Sequence, residues 1–117
     1  MIKPATGTGL GFRRELLPEL RHSDLSGIDF FEIAPENWAG IGGRSAKDLR
    51  SFSERFAFVC HGLSLSIGSS DGLDVELLKR TKTFMVEHGI GLYTEHLSWC
   101  SHQGHLYDLL PIPCTSE

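Results

Sequence analysis

Short apolar runs recur along the chain, each closed by polar or glycine-rich sequence. "GIDFFEIAPENW" has Phe30, Phe31 and Ile33, interrupted by Glu32 and stopped at Pro35. "FAFVCH" ends on His61, and "IGLYTEHLSW" runs past His96. These read as strands, and "GTGLGF" near the N-terminus as a further short one. Between them the period changes to that of helices. "RRELLPELRHS" places Leu16, Leu17 and Leu20 at helical spacing, with Pro18 keeping the piece short or kinked. "SAKDLRSFSERF" predicts a helix with Ser45 as cap, Asp48 three residues on, and Leu49, Phe52 and Phe56 on one face. "DVELLKRTKTFMVEHG" is the clearest helix, apolar at Val75, Leu78, Phe84 and Met85, with Gly89 as its stop.

Strands alternating with helices predict parallel βαβ units, an α/β fold. The runs are apolar rather than alternating, as when helices cover both faces of a sheet. The chain stops on Thr115-Ser116-Glu117, which reads as the opening of a fourth helix. Four such units cannot close an eight-stranded barrel, which takes about 250 residues. The expectation is one partial domain over residues 1–117, a truncated chain or a half-barrel that dimerises. Its exposed strand edges would favour self-association.

Composition narrows this picture. The 117 residues carry a net charge of −4 and are 40% hydrophobic, which is ordinary globular usage. The basic residues are scattered rather than gathered in a patch, which argues against nucleic acid. No apolar run approaches the roughly 18 residues of a membrane span, and the N-terminus has no signal-peptide core. The expected location is the cytoplasm. Cys60, Cys100 and Cys114 form no CxxC pair. Cys60 reads as a small buried residue in a strand, and the other two as free thiols in loops.

Functional groups of parallel α/β folds sit at the C-terminal ends of strands. The chain offers Glu32, then Glu36 and Asn37, after one run, His61 after the next, and Glu95 and His96 after the last. His61 and His96 lie 35 residues apart, about one βα unit, so adjacent strands would deliver them to one place. Imidazole and carboxylate there suit Fe, Mn or Zn; hydrogen-bonded core histidines are the plainer alternative. Glu32 within an apolar run needs a metal or a salt bridge, such as one with Arg13. Glu36 and Asn37 also suit a simple loop. His22 and His88 fit helix C-termini, where positive charge is favoured. His102 and His105 flank Gly104 in a hairpin tip. "SIGSSDG" either cradles an anion or simply breaks the chain before the helix that begins near Leu73.

The blocks "GTGLGFRRELLPEL", "IDFFEIAPENWAGIGG", "FVCHGLSLSIGSSDGLD" and "YTEHLSWCSHQGHLYDLLPIPCTSE" together resemble the multinuclear non-haem iron-dependent oxidative enzymes, a family long catalogued as an uncharacterised bacterial protein family. The resemblance implies a TIM barrel of the xylose-isomerase-like group, this chain being the N-terminal half of its (β/α)8 fold. It implies two or three iron ions, O₂, and oxidative modification of cysteine or other residues in ribosomal precursor peptides. A partner protein that delivers the peptide is also implied. His61 and His96 match metal-ligand histidines of the family, and Glu36, Asn37 and Asp108 fall in matching blocks. The chain departs from the family in length, so the remaining ligands are missing. Two histidines alone do not complete a facial triad, which needs a carboxylate. A non-catalytic truncated product of that family remains the alternative, and a metal-dependent sugar isomerase or endonuclease-like barrel is a third.

Overall fold

The computed structural model describes residues 2–116. Strands β1 (Gly9–Gly11), β2 (Phe30–Ile33), β3 (Ala57–His61) and β4 (Tyr93–Thr94) form one parallel sheet in that order. Phe31 lies opposite Leu10 and Phe58, Ile33 opposite Cys60, and His61 opposite Thr94. Side chains alternate across a strand, so Phe31, Ile33, Phe58 and Cys60 share one face. That face is buried against Phe12, Leu17, Leu20, Trp38, Leu49, Phe52 and Phe84. Glu32, Val59 and His61 share the other.

The expectation of apolar strands covered on both faces holds for β3 but not for β2. Residues Phe31 and Ile33 are buried while Glu32 is exposed. The carboxylate therefore meets water and needs no ion pair, and Arg13 forms none with it.

Helix α1 (Leu17–Leu20) is a single turn with Pro18 near its start, after a 3-10 turn over Arg14–Leu16. A second single turn, α2 (Pro35–Trp38), occupies what reads as loop in the sequence. Pro35 both ends the strand and opens this turn, because its fixed φ and missing N–H suit a first helical position. Helix α3 (Gly43–Ser53) starts earlier than expected, from Gly42 and without a side-chain cap. Ser45 lies inside it, and Asp48 pairs with Arg21 instead of capping. Helix α4 (Val75–His88) is capped by Asp74, whose Oδ1 accepts from Leu77 N at 2.9 Å. Gly89 ends it with φ 65°, a left-handed position that favours glycine. Leu77, Thr81 and Phe84 form its buried stripe, while Val75, expected on that stripe, is exposed.

The last apolar run is not one strand. The sheet strand stops at Thr94, and β5 (Ser98–His102) pairs antiparallel with β6 (His105–Pro111). Gln103 and Gly104, with φ 47° and 77°, make the tight turn expected at "SHQGH". Cys100 sits buried in β5 rather than in a loop, and all three cysteines are free. Residues 112–116 form no helix, and Glu117 of the expected fourth helix lies outside the described residues.

His88 ends α4 as expected, but its environment does not favour the cation. Its Nδ1 lies 2.9 Å from Ser53 Oγ, and its ring packs 4.8 Å from that of Phe84. Burial first, and then the Arg50 guanidinium, hold its pKa below the ordinary 6.5, against a smaller opposing pull from Glu87. The folded state thus prefers neutral imidazole. As pH falls through 6.5 the unfolded chain takes up this proton first, so stability drops on acidification and is restored above that value. The urea midpoint is expected to fall between about pH 7.5 and about pH 5.5, and to fall less in His88→Gln.

Candidate metal centre

The C-terminal ends of β3 and β4 bring the two histidines together. Cys60 N donates to Leu92 O at 2.9 Å and Gly62 N to Thr94 O at 2.8 Å, which locks β3 against β4. His61 Nε2 lies 3.4 Å from His96 Nε2, with ring centroids 4.6 Å apart and planes at 60°. The opposite nitrogens are both occupied. His61 Nδ1 lies 2.8 Å from Thr94 Oγ1, which in turn lies 3.4 Å from Cys60 O. His96 Nδ1 lies 3.1 Å from Gly62 O and 3.4 Å from Glu95 Oε1.

The contacts of His96 select its tautomer. A carbonyl and a carboxylate oxygen can only accept, so His96 Nδ1 carries its proton. The Thr94 hydroxyl faces His61 Nδ1 at 2.8 Å and Cys60 O at 3.4 Å and can donate to either, so His61 is held in place with both tautomers open. With its proton on Nδ1, His96 leaves Nε2 free to accept, and His61 Nε2 faces it within hydrogen-bond reach; a proton on His61 or a cation can stand between the two nitrogens.

The spacing suits such a cation. Two nitrogens about 2.0–2.1 Å from one tetrahedral ion sit about 3.3–3.4 Å apart, and about 2.9 Å apart at a right angle. Imidazole pairs suit Zn, Cu, Fe and Ni. The fit covers two donors. Among the described residues no three His, Cys, Asp or Glu side chains converge on one point.

A cavity of about 510 Å³ opens over the pair, walled by Arg13, Glu32, Asn37 and Trp38 as well as both histidines. Arg14 stacks on Trp38 with 4.8 Å to the ring centroid and donates to Asn37 O. Glu32 and Asn37 thus reach the same space as the histidines. Glu36 does not face it: its Oε1 accepts from Leu63 N at 2.8 Å, and its buried Oε2 has no partner. Glu36 instead lines a second cavity of about 540 Å³, with Ser64, Leu65 and Thr81. Asp108 is exposed on β6 and does not line the cavity over the pair.

Glu95 is the residue that sequence reading noted beside His96 without assigning it to the site. Its side chain is only 6% exposed. Tyr93 donates to its Oε2 at 2.8 Å and His96 N to its Oε1 at 2.9 Å. Burial, and then the Glu95 hydrogen bond, push the Tyr93 phenol well up, so its hydroxyl stays a donor. Burial first, and Glu36 second, push the Cys60 thiol up to about 12. Cys60, on the buried sheet face opposite to that of His61, is therefore an inert core residue rather than a nucleophile.

The fold and site together define a mixed α/β protein with a four-stranded parallel sheet and a preorganised histidine pair at its strand ends. The chain belongs to the family described as RiPP precursor modification enzyme MbnB/TglH/ChrH, whose profile matches residues 7–117. It is 62% identical over 109 residues to the UPF0276 protein Nmul_A2550 of Nitrosospira multiformis, covering 93% of this chain and 38% of that protein. The UPF0276 protein of Shewanella amazonensis is 58% identical over 109 residues, covering 93% of this chain and 39% of that one. That of Alcanivorax borkumensis is 53% identical over 119 residues, covering 97% and 40%. The chain thus spans about two-fifths of the length of these relatives. No helix among the described residues is long and apolar enough to cross a membrane.

Proposed function

We propose that the chain supplies the first half of a (β/α)8 barrel in an iron-dependent oxidative enzyme acting on ribosomally made precursor peptides. The carrying observation is the pair of Nε2 atoms 3.4 Å apart, each with its Nδ1 committed elsewhere, in a chain of a precursor-modifying family. On this reading His61 and His96 ligate iron, and further donors come from the rest of the barrel, which carries two or three ions. When bound, iron supplies O₂ activation and a seat for a peptide thiolate.

The chain's own residues do the rest. Thr94 and Gly62 hold the two imidazoles by their Nδ1 atoms, which leaves both Nε2 atoms facing each other beside the cavity. Arg13 and Glu32 line the same cavity and offer opposite charges to an extended peptide, near Asn37 and Trp38. A partner protein delivers the peptide, and the site of action is the cytoplasm. The free edges of β1 and β4 serve barrel closure in the longer protein and self-association in the short chain. Family membership favours a peptide over the sugar or nucleic acid that related barrels take.

The test uses a full-length family member that retains both histidines, incubated with its co-encoded cysteine-containing peptide. A mass change in the peptide that requires both ferrous iron and O₂ is expected by mass spectrometry. An unchanged peptide mass with iron-loaded enzyme would overturn the oxidative reading.

A further inference from the structure

We propose that Glu95 is the positioning residue of the histidine pair, locking the loop after β3 so that His96 keeps its Nε2 lone pair turned on His61. The proposal rests on reading the pair as metal ligands. It starts from a cost: a carboxylate this buried is unfavourable unless its oxygens are bonded. Glu95 meets the condition through three donors from two segments. Tyr93 Oη and Leu65 N approach Oε2 at 2.8 and 3.4 Å, and His96 N approaches Oε1 at 2.9 Å.

The same carboxylate fixes the loop that faces His96. A Cβ on Gly62 would fall 2.1 Å from Glu95 Oε2 and 2.4 Å from the Tyr93 hydroxyl. Only glycine lets the carboxylate close this far. Gly62 in turn aims its carbonyl at His96 Nδ1, so Glu95 acts on the ring twice. It faces Nδ1 with its own Oε1, and it seats the loop whose Gly62 carbonyl is the second acceptor. From the other side Glu36 holds Leu63 N. The loop is thereby gripped by carboxylates that follow β2 and β4. Without Glu95, His96 is free to carry its proton on Nε2, where it cannot ligate.

The experiment reads the tautomer and the metal affinity separately. The 117-residue chain, labelled with ¹⁵N-histidine and kept metal-free, reports the protonated nitrogen of His96 through long-range ¹H–¹⁵N correlations. Zn²⁺ alone is then titrated. Wild type is expected to show His96 protonated at Nδ1. Glu95→Gln, which keeps the size, is expected to show mixed tautomers and Zn²⁺ affinity lower by about 10–100-fold. Tyr93→Phe, which removes one bond to the carboxylate, is expected to move both in the same direction by less. Glu54→Gln, at the exposed residue just past the end of α3, is expected to move neither.

A folded Glu95→Gln chain with the wild-type tautomer and wild-type affinity overturns the proposal. If Glu95→Gln does not fold, the same two readings on Tyr93→Phe decide. If wild type binds no Zn²⁺ yet Glu95→Gln redistributes the tautomer, the positioning role holds and the metal reading fails. If wild type binds and neither variant changes anything, the positioning role alone fails.

Discussion

Replacing Phe31 with Ala is expected to lower the unfolding free energy by about 3–5 kcal/mol, the usual cost of truncating a buried phenylalanine. Phe31 is fully buried and sits at the centre of an aromatic cluster. Its ring lies edge-on to Phe12, Phe52 and Phe56, with centroids 5.4, 5.8 and 5.2 Å away, and is tilted against Phe58 at 5.5 Å. Each such pair adds about 0.5–1.5 kcal/mol beyond its buried area. The cluster joins β2 and β3 to α3, so the cavity left by Ala is walled by rigid elements and collapses poorly. A domain has only about 5–15 kcal/mol in total, so this one ring accounts for a large share. Urea unfolding followed by far-UV circular dichroism measures it. Phe31→Leu, which keeps much of the volume, is expected to cost about 1–2 kcal/mol. A loss below about 1 kcal/mol for Phe31→Ala would mean that the sheet face is not packed as described.

That core was readable from the pattern of apolar positions. Phe31, Phe52, Phe58 and Cys60 were each placed on a strand or a helix face, and each is buried. The parallel order of strands was readable too, because long helical stretches separate the runs. What the pattern did not reveal depends on where hydrogen bonds go. "IGLYTEHLSW" reads as one strand, yet it bends after Thr94. Thr94 O is taken by Gly62 N, while Ser98 O is taken by Gly68 N and β5 turns to pair with β6. The bend is also why Glu95 was not placed in the site. On a straight strand, neighbours of opposite parity face opposite ways; here Glu95 folds beneath His96 and touches it. The helical turn at Pro35–Trp38 hid in the same way, since a proline that stops a strand equally well starts a helix. Asp108 shows the reverse case. Its block matched the family, but a matching block does not say which face of a hairpin a residue takes.

The second large effect concerns the histidine pair, and it is expected in this chain before any reaction is assayed. His61→Ala and His96→Ala are each expected to weaken divalent-metal binding by about 100-fold or more, since replacing a residue that merely orients a ligand already costs about 10–100-fold. The double replacement is expected to be scarcely worse than either single one. Residues that act as a unit are strongly non-additive, and one imidazole without its neighbour is an ordinary surface donor. Thr94→Val, which removes the hydroxyl partner of His61 Nδ1 but leaves both rings, is expected to fall between, near 10-fold. Isothermal titration with Zn²⁺, and iron content by elemental analysis in a full-length family member retaining both histidines, check the series. Both rings are only half-buried and apart from the aromatic core, so each histidine variant is expected to unfold at nearly the same urea concentration as wild type without metal. Metal that stabilises wild type is expected to leave the double variant unmoved, because only binding to the folded state raises stability. Unchanged iron content in the double variant would show that the two nitrogens face each other for packing alone.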